Sequence, residues 1–216
     1  TFVRTRDHRS EEIEGYCSET SVRAGGRLGL FLSARPATEV TVDVYRLGWY
    51  GGRGGRHVAR LGPYAVQPQP TPPTGPHRLR ECRWQRAAEI TIPADWVSGV
   101  YVGKLSCRAH RLESYVIFVV RDDRPADLLF QTSDTTWQAY NKWPEQHSLY
   151  DTDEPKRPWN ADTWVSYDRP YGLYPQVVNQ PLSTGSGEFL LWEFPLCFWL
   201  EREGYDVTYS ANADTH

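Results

Sequence analysis

The polar run Arg121-Asp122-Asp123-Arg124-Pro125 divides the chain into two stretches with different periodicities, and no other feature limits the fold as much. Before it, short segments alternate apolar and polar side chains between turn signals, the pattern of an antiparallel sandwich. Strands are predicted at 27–33, 40–45, 56–61, 88–92, 100–106 and 115–120, with the clearest alternation in Thr41-Val42-Asp43-Val44-Tyr45. After it, 128–131 is a short apolar run of the kind buried on both faces of a parallel sheet. Ser133 or Asp134 can cap a helix over 135–142. A second helix is predicted over 193–203, with Leu196, Trp199 and Leu200 on one face, Pro195 in its first turn and Gly204 to end it, and a strand at 205–209 follows. Strand, loop, helix, strand is the opening of a parallel α/β domain.

The expected organisation is therefore a β-sandwich over 1–122 and the first part of an α/β domain over 123–216. Two parallel strands cannot cover their own faces, so a second polypeptide or a C-terminal remainder is expected to complete that domain, in an oligomer. The chain contains no Met, which points to a piece trimmed from a longer precursor.

Charge sharpens the division. Residues 1–122 carry 18 Lys and Arg against 12 Asp and Glu, whereas 123–216 carry 6 against 15. Such halves can attract each other or a partner, and solvated faces of two domains are the plainer reading. The arginines are scattered through strand-like segments and not gathered in a nucleic-acid-binding motif, so nucleic acid is not an expected partner. The longest apolar run, 189–200, is broken by Glu193 and Pro195 and falls short of a membrane span. A cytoplasmic location is expected, with export left open.

Several motifs invite chemical readings. The cluster Arg46-Leu47-Gly48-Trp49-Tyr50-Gly51-Gly52-Arg53-Gly54-Gly55-Arg56 lacks the Gly-Lys-Ser/Thr ending of a phosphate loop and reads as a wide hairpin turn. Proline-rich 63–76 reads as an extended surface loop. Cys17, Cys82, Cys107 and Cys197 show no metal spacing; buried thiols or a single disulfide are expected, with Cys82 and Cys107 the pair to test. Ser98-Gly99 and the run 183–187 lack the strand-to-helix setting of a nucleophile elbow. The segment 131–171 gathers Trp137, Trp143, Trp159, Trp164, Tyr140, Tyr150, Tyr167 and Tyr171 between prolines with no sustained period. Long loops of this kind are usually functional or disordered, and this one is too aromatic for disorder.

The strings IEGYCSETSVRAGG, VYRLGWYGGRGGR, WVSGVYVGKL, YVIFVVRDD, LLFQTSDTTWQAYN, VSYDRPY and WLEREGYDVTYSANADTH resemble, in order and over nearly the whole chain, the N,N-dimethylformamidase large (beta) subunit-like family. The resemblance implies an immunoglobulin-like sandwich followed by a glutamine-amidotransferase-like α/β domain. It further implies hydrolysis of a small amide at a mononuclear ferric iron held by two tyrosines and a glutamate, with a histidine nearby. Hard oxygen donors suit ferric iron, which can polarise a carbonyl or acidify a bound water.

Carried onto this sequence, the resemblance implies Tyr140 and Tyr167 as metal ligands, with Tyr150 in reserve, while the glutamate of a His-x-Glu stretch is expected beyond the last residue. Trp137 stands where many relatives have tyrosine. His147, Arg169 and His216 are the candidate catalytic side chains: a base or ligand, a substrate-orienting cation, and a group at the crevice beyond the last strand. Two other classes of function fit the same residues. One is a non-catalytic carbohydrate- or protein-binding scaffold using Trp143 and Trp159 as a platform; the other is a metalloenzyme of the same fold with a different metal and reaction.

Overall fold

A computed structural model describes residues 9–10, 12–107, 112–145, 147–151, 163–173 and 184–215. A three-stranded antiparallel sheet, ordered β1-β3-β6, is built from β1 (Ile13–Cys17), β3 (Arg27–Ala34) and β6 (Arg86–Thr91). A five-stranded sheet comprises β2 (Ser21–Arg23), β4 (Thr38–Leu47), β5 (Gly55–Val66), β7 (Gly99–Cys107) and β8 (Leu112–Arg121), ordered β2-β8-β7-β4-β5. Its pairs are antiparallel except β2 with β8. Alternate side chains meet between the sheets: Leu28, Leu30 and Leu32 from β3 pack with Val40, Val42 and Val44 from β4, Leu105 from β7 and Phe118 from β8. The period of two places each set on one face.

The six predicted strands are all present, and β1 and β2 are added to them. The glycine cluster is the turn of the β4–β5 hairpin, closed by the Gly48 N–H donating to the Gly54 carbonyl at 3.1 Å. The proline-rich segment differs from expectation at its start, because β5 runs on through Pro63 to Val66. β5 pairs only with β4, so the ring nitrogen can sit on the open edge without breaking a ladder. All four cysteines are free; Cys107 lies in the inter-sheet core, whereas Cys82 packs in a separate cluster with Tyr16, Trp84 and Trp143.

The outer face of β7 and β8 is also buried. There Val100, Val102, Ile117 and Val119 join a second cluster with Phe130, Trp137, Phe189, Cys197, Val207 and Tyr209. This layer holds a parallel pair, β9 (Leu128–Thr132) and β10 (Val207–Ala211), and two helices, α1 (Asp134–Tyr140) and α2 (Phe194–Arg202). A wide π-helical turn, Phe189–Glu193, leads into α2.

Three details differ from the sequence reading. Leu128 and Leu129 of β9 are 38% and 60% exposed, so only the Phe130 side of that strand is covered among the described residues. β10 begins at Val207; Tyr205 precedes it and packs on Trp199. On α2 the core takes Cys197, with Phe194 and Leu200 half-buried against it, and Leu196 and Trp199 face outward. Ion pairs tie the second layer to the sheets: Arg46 to Glu201 at 2.8 Å and Arg121 to Asp214 at 3.3 Å, so part of the charge asymmetry is satisfied inside the chain. Among the described residues no helix is long and apolar enough to cross a membrane.

Candidate active site

The parallel strands β9 and β10 end side by side, and the crevice beyond their carboxyl ends is where open parallel sheets gather functional groups. Asp134, the first residue of α1, is fully buried there and collects donors from three directions. Its Oδ1 accepts from the Thr132 hydroxyl at 3.0 Å and from the Asn212 N–H beyond β10. Its Oδ2 accepts from the Tyr167 hydroxyl at 3.1 Å and from the Ala213 N–H at 3.4 Å. One carboxylate thus fixes the ends of both strands and the phenol of the aromatic segment. Burial, reinforced by the Asp134 charge, pushes the Tyr167 phenol above its ordinary range, so it stays protonated near neutrality.

Asp134 and Tyr167 line a cavity of about 30 Å³ with Thr132, Trp137, Arg169 and Tyr171, roofed by sandwich residues that include Tyr16 and Cys17. That is room for about one water molecule. A much larger open groove, about 650 Å³, lies on the other side of Tyr167 and is lined by Leu79, Leu149, Trp164 and Asp168.

Arg169 is buried at the edge of the inner cavity and held by backbone and amide oxygens. Its Nε donates to Gln138 Oε1 at 3.1 Å, Nη1 to the Trp143 carbonyl at 3.0 Å, and Nη2 to the carbonyls of Gln138 and Asn141 at 3.2 Å each. These carbonyls belong to the end of α1 and the turn after it, so the guanidinium caps the helix. Burial lowers its pKa to about 10, and it remains a cation. Asn141 completes the cap: its Oδ1 accepts from the Trp143 and Gly172 N–H groups, and its Nδ2 donates to the Pro170 carbonyl.

Tyr140 ends α1 and packs against Tyr150, with ring centroids 4.9 Å apart. It borders a second, smaller cavity of about 10 Å³ together with Asn141, Tyr171 and Glu188. Trp137 and Tyr171 line both cavities and form the partition between them. Tyr140 and Tyr167 therefore lie on opposite sides of an aromatic wall. Among the described residues no three His, Cys, Asp or Glu side chains come together as a metal-binding group.

His147 follows the Trp143-Pro144 turn, its N–H donating to the Glu145 carbonyl, and it is not among the residues lining either cavity. His216 and Trp159 lie outside the described residues. Trp143 is 0% exposed and donates from Nε1 to Glu14 at 2.8 Å, so it offers no face to a sugar.

From the sequence, Asp134 reads only as a helix cap, Tyr171 only as one of the clustered aromatics and Glu193 only as a break in an apolar run, while Glu188 carries no signal. Glu193 accepts from Trp137 Nε1 at 2.7 Å and from the Ser133 N–H, which makes the indole at position 137 a fixed element of the partition. Glu188 is brought in by the turn before Phe189. At Gly185, with φ of +81°, a Cβ would meet the Tyr115 carbonyl oxygen at 1.9 Å, so only glycine lets the turn run against β8. Burial, with Glu193 as a like-charged neighbour, raises the Glu188 carboxyl to about 7. Tyr171 following Tyr167 in Tyr167-Asp168-Arg169-Pro170-Tyr171 was the available signal for a second buried phenol.

Residues 41–216 match the family model described as N,N-dimethylformamidase beta subunit-like, C-terminal. No curated protein matches the chain. The matched span runs from β4 through both cavities to the last residue, and the chain belongs to the N,N-dimethylformamidase beta subunit-like family.

Proposed function

We propose that the chain is part of an amidohydrolase that cleaves the C–N bond of a small amide. The match to the family over residues 41–216 carries this reading. In the finer form of the proposal, residues 1–122 are an immunoglobulin-like sandwich and residues 123–216 open a glutamine-amidotransferase-like α/β domain. The order β1-β3-β6 against β2-β8-β7-β4-β5 supports the first, and the parallel β9–β10 pair supports the second. The uncovered side of β9 supports a further partner layer, supplied by another polypeptide or by more of the same one.

The inner cavity is too small for an amide, so the substrate occupies the open groove beside Tyr167 and the inner cavity holds a water. Tyr167 lines both spaces. With its proton directed to Asp134, its oxygen is left to accept a hydrogen bond from that water, while Trp137 and Tyr171 keep the surroundings dry. Asp134 is the positioning residue: it holds the phenol and both strand ends in one geometry. A ferric ion is the cofactor implied by family likeness, and it would polarise the amide carbonyl. Since Tyr140 and Tyr167 do not share a cavity, no step is assigned to it through that pair.

The test is release of amine from N,N-dimethylformamide and longer N-alkyl formamides. Tyr167→Phe is expected to lower kcat/KM by about 10- to 100-fold, with KM changing less than kcat. Turnover of none of these amides, or a Tyr167→Phe variant with full activity, would remove the proposal.

A further inference from the structure

Trp164 is 56% exposed, yet it is fixed: the His77 ring stacks on it with centroids 4.3 Å apart and planes within 16°, and the Trp164 N–H donates to the His77 carbonyl at 2.9 Å. Its open side borders the groove of about 650 Å³ beside Tyr167. Two acids, Glu81 and Asp168, line the same groove. Their chain segments are tied together: the Cys82 N–H donates to the Asp168 carbonyl at 2.7 Å, the Ser166 hydroxyl to Glu81 Oε1 at 3.1 Å, and the Asp168 N–H to the Ser166 oxygen at 3.0 Å. Partial burial, and then the Glu81 charge, raise the Asp168 carboxyl, as expected of two acids facing one space. Neither acid has an ion-pair partner among the described residues, and no Lys, Arg or His is among the described residues that line the groove.

Such a wall repels an anion, and a small bare ion gains nothing from the indole or from the aliphatic side chains of Leu79 and Leu149. A pinned aromatic face flanked by carboxylates suits a cation that carries its own apolar surface. We propose that the groove selects amides whose nitrogen substituent ends in an alkylated ammonium group, seated on Trp164 between Glu81 and Asp168. Trp164, Glu81 and Asp168 are then specificity-determining residues, while Tyr167 faces the acyl end. In the reaction water forms the new C–O bond, the C–N bond breaks, and the departing amine takes up a proton; the ammonium group is unchanged. The reaction rests on the amidohydrolase reading, whereas the seating of the cation stands on the groove alone.

The experiment compares two probes, the formamide of trimethylammonioethylamine and its neutral isostere in which carbon replaces the quaternary nitrogen. Binding to the chain is read by calorimetry and by the indole N–H resonance of Trp164, assigned by its loss in Trp164→Phe. The cationic amide is expected to bind about tenfold or more tightly than the isostere at low ionic strength, with the ratio shrinking as salt is added. The double variant Glu81→Gln, Asp168→Asn should bring the ratio close to one, and Trp164→Ala should weaken the cationic amide more than the isostere. Near-ultraviolet circular dichroism checks that each variant is folded. Equal binding of the two probes overturns the proposal, and so does a preference that survives in the folded double variant or in Trp164→Ala. Amine release is measured separately on both probes. Release from neither, with the binding preference intact, removes the hydrolase reading and leaves the ammonium seat; release from both at equal kcat/KM, with equal binding, removes the seat and leaves the hydrolase.

Discussion

Three acids mark the difference between the molecule's two cores. Asp43 on the sandwich sheet takes a two-pronged contact from Arg60 at 2.8 and 3.1 Å and a third from His57, and its carboxyl is held below the usual range, first by the Arg60 hydrogen bond. Glu188 and Glu193 in the second core lie next to each other without a cation, and burial raises both. The contrast is physical: a carboxyl with a cation beside it keeps its charge, and a carboxyl without one holds its proton more tightly. Groups of the second kind gather where chemistry is done. The sandwich core is mostly aliphatic and the cation beside Asp43 keeps that carboxyl charged; the second core mixes aliphatic with aromatic side chains, and its Glu188 and Glu193 have no cationic partner among the described residues.

The largest effect should come from the second core. Arg169→Met removes the donors to the Trp143 and Asn141 carbonyls and one of two donors to the Gln138 carbonyl, and buried oxygens left without this donor make this a loss of about 3 to 5 kcal/mol. Hydrogen exchange should show α1 opening while β4, β7 and β8 stay protected. If the sandwich loses protection equally, the two cores are one cooperative unit and the comparison fails.

Leu105→Ala tests the other side. Leu105 is fully buried between the sheets, and its truncation should cost about 2 to 4 kcal/mol by denaturant unfolding. Because the second core packs on the outer face of β7 and β8, its near-ultraviolet circular dichroism should be lost at the same, lowered, midpoint. A second-core signal that survives beyond the sandwich transition would show that it does not depend on the sandwich.

How much of this could be read from the sequence differs between the cores for the same reason. Strands such as β4 and β7 carry a period-two pattern that is complete within ten residues, so local reading finds them. β1 escapes a local reading because Glu14 and Gly15 interrupt its apolar pattern; the buried Glu14 carboxylate is held by Arg9 and by Trp143, which lies far along the chain. β2 is three residues long and has no period to detect. Around the cavities, Tyr167 is marked by the family resemblance of VSYDRPY and Arg169 by standing beside it. That Tyr140 and Tyr167 line different cavities is not a local matter, because Trp137 and Tyr171, which line both, come together only in the fold. Glu188 follows a glycine and serine turn that looks like a linker, and its environment is supplied by residues more than ten positions away. Asp134 reads as a possible cap but is the first residue of α1, and its carboxylate makes no capping bond to the helix; its contacts to Asn212 and Tyr167 become visible only once β9 and β10 are paired.

Trp137→Phe gives a smaller and more selective perturbation. The ring contacts to Tyr171 and Phe189 survive, but the Nε1–H that supports Glu193 is lost. The expected cost is about 1 to 2 kcal/mol, and the Glu193 carboxyl should titrate higher still, as read by carbonyl-stretch infrared difference spectra against pH. An unchanged Glu193 titration would mean that burial alone sets it.

Asp43→Asn should have the smallest effect near neutrality, below about 1 kcal/mol, because Arg60 and His57 lie toward solvent and water screens their pull. Its signature is in the pH dependence. Asp43 has a folded pKa below its unfolded value of 3.8, so the stability it contributes is present above that value and is lost as pH falls through the folded pKa. The asparagine variant should therefore show a shallower loss of stability on acidification and little change above pH of about 5. Glu188 runs the other way: its folded pKa of about 7 exceeds the ordinary 4.5, the native state holds the extra proton between them, and stability falls as pH rises across that interval. Denaturant midpoints measured from pH 3 to pH 8 on Asp43→Asn and wild type separate the two limbs, since the substitution should move only the acid one. Were it to move the neutral limb as well, Asp43 and the second core would share their titration, and the division between the core whose acid has a cation beside it and the core whose acids have none would not hold.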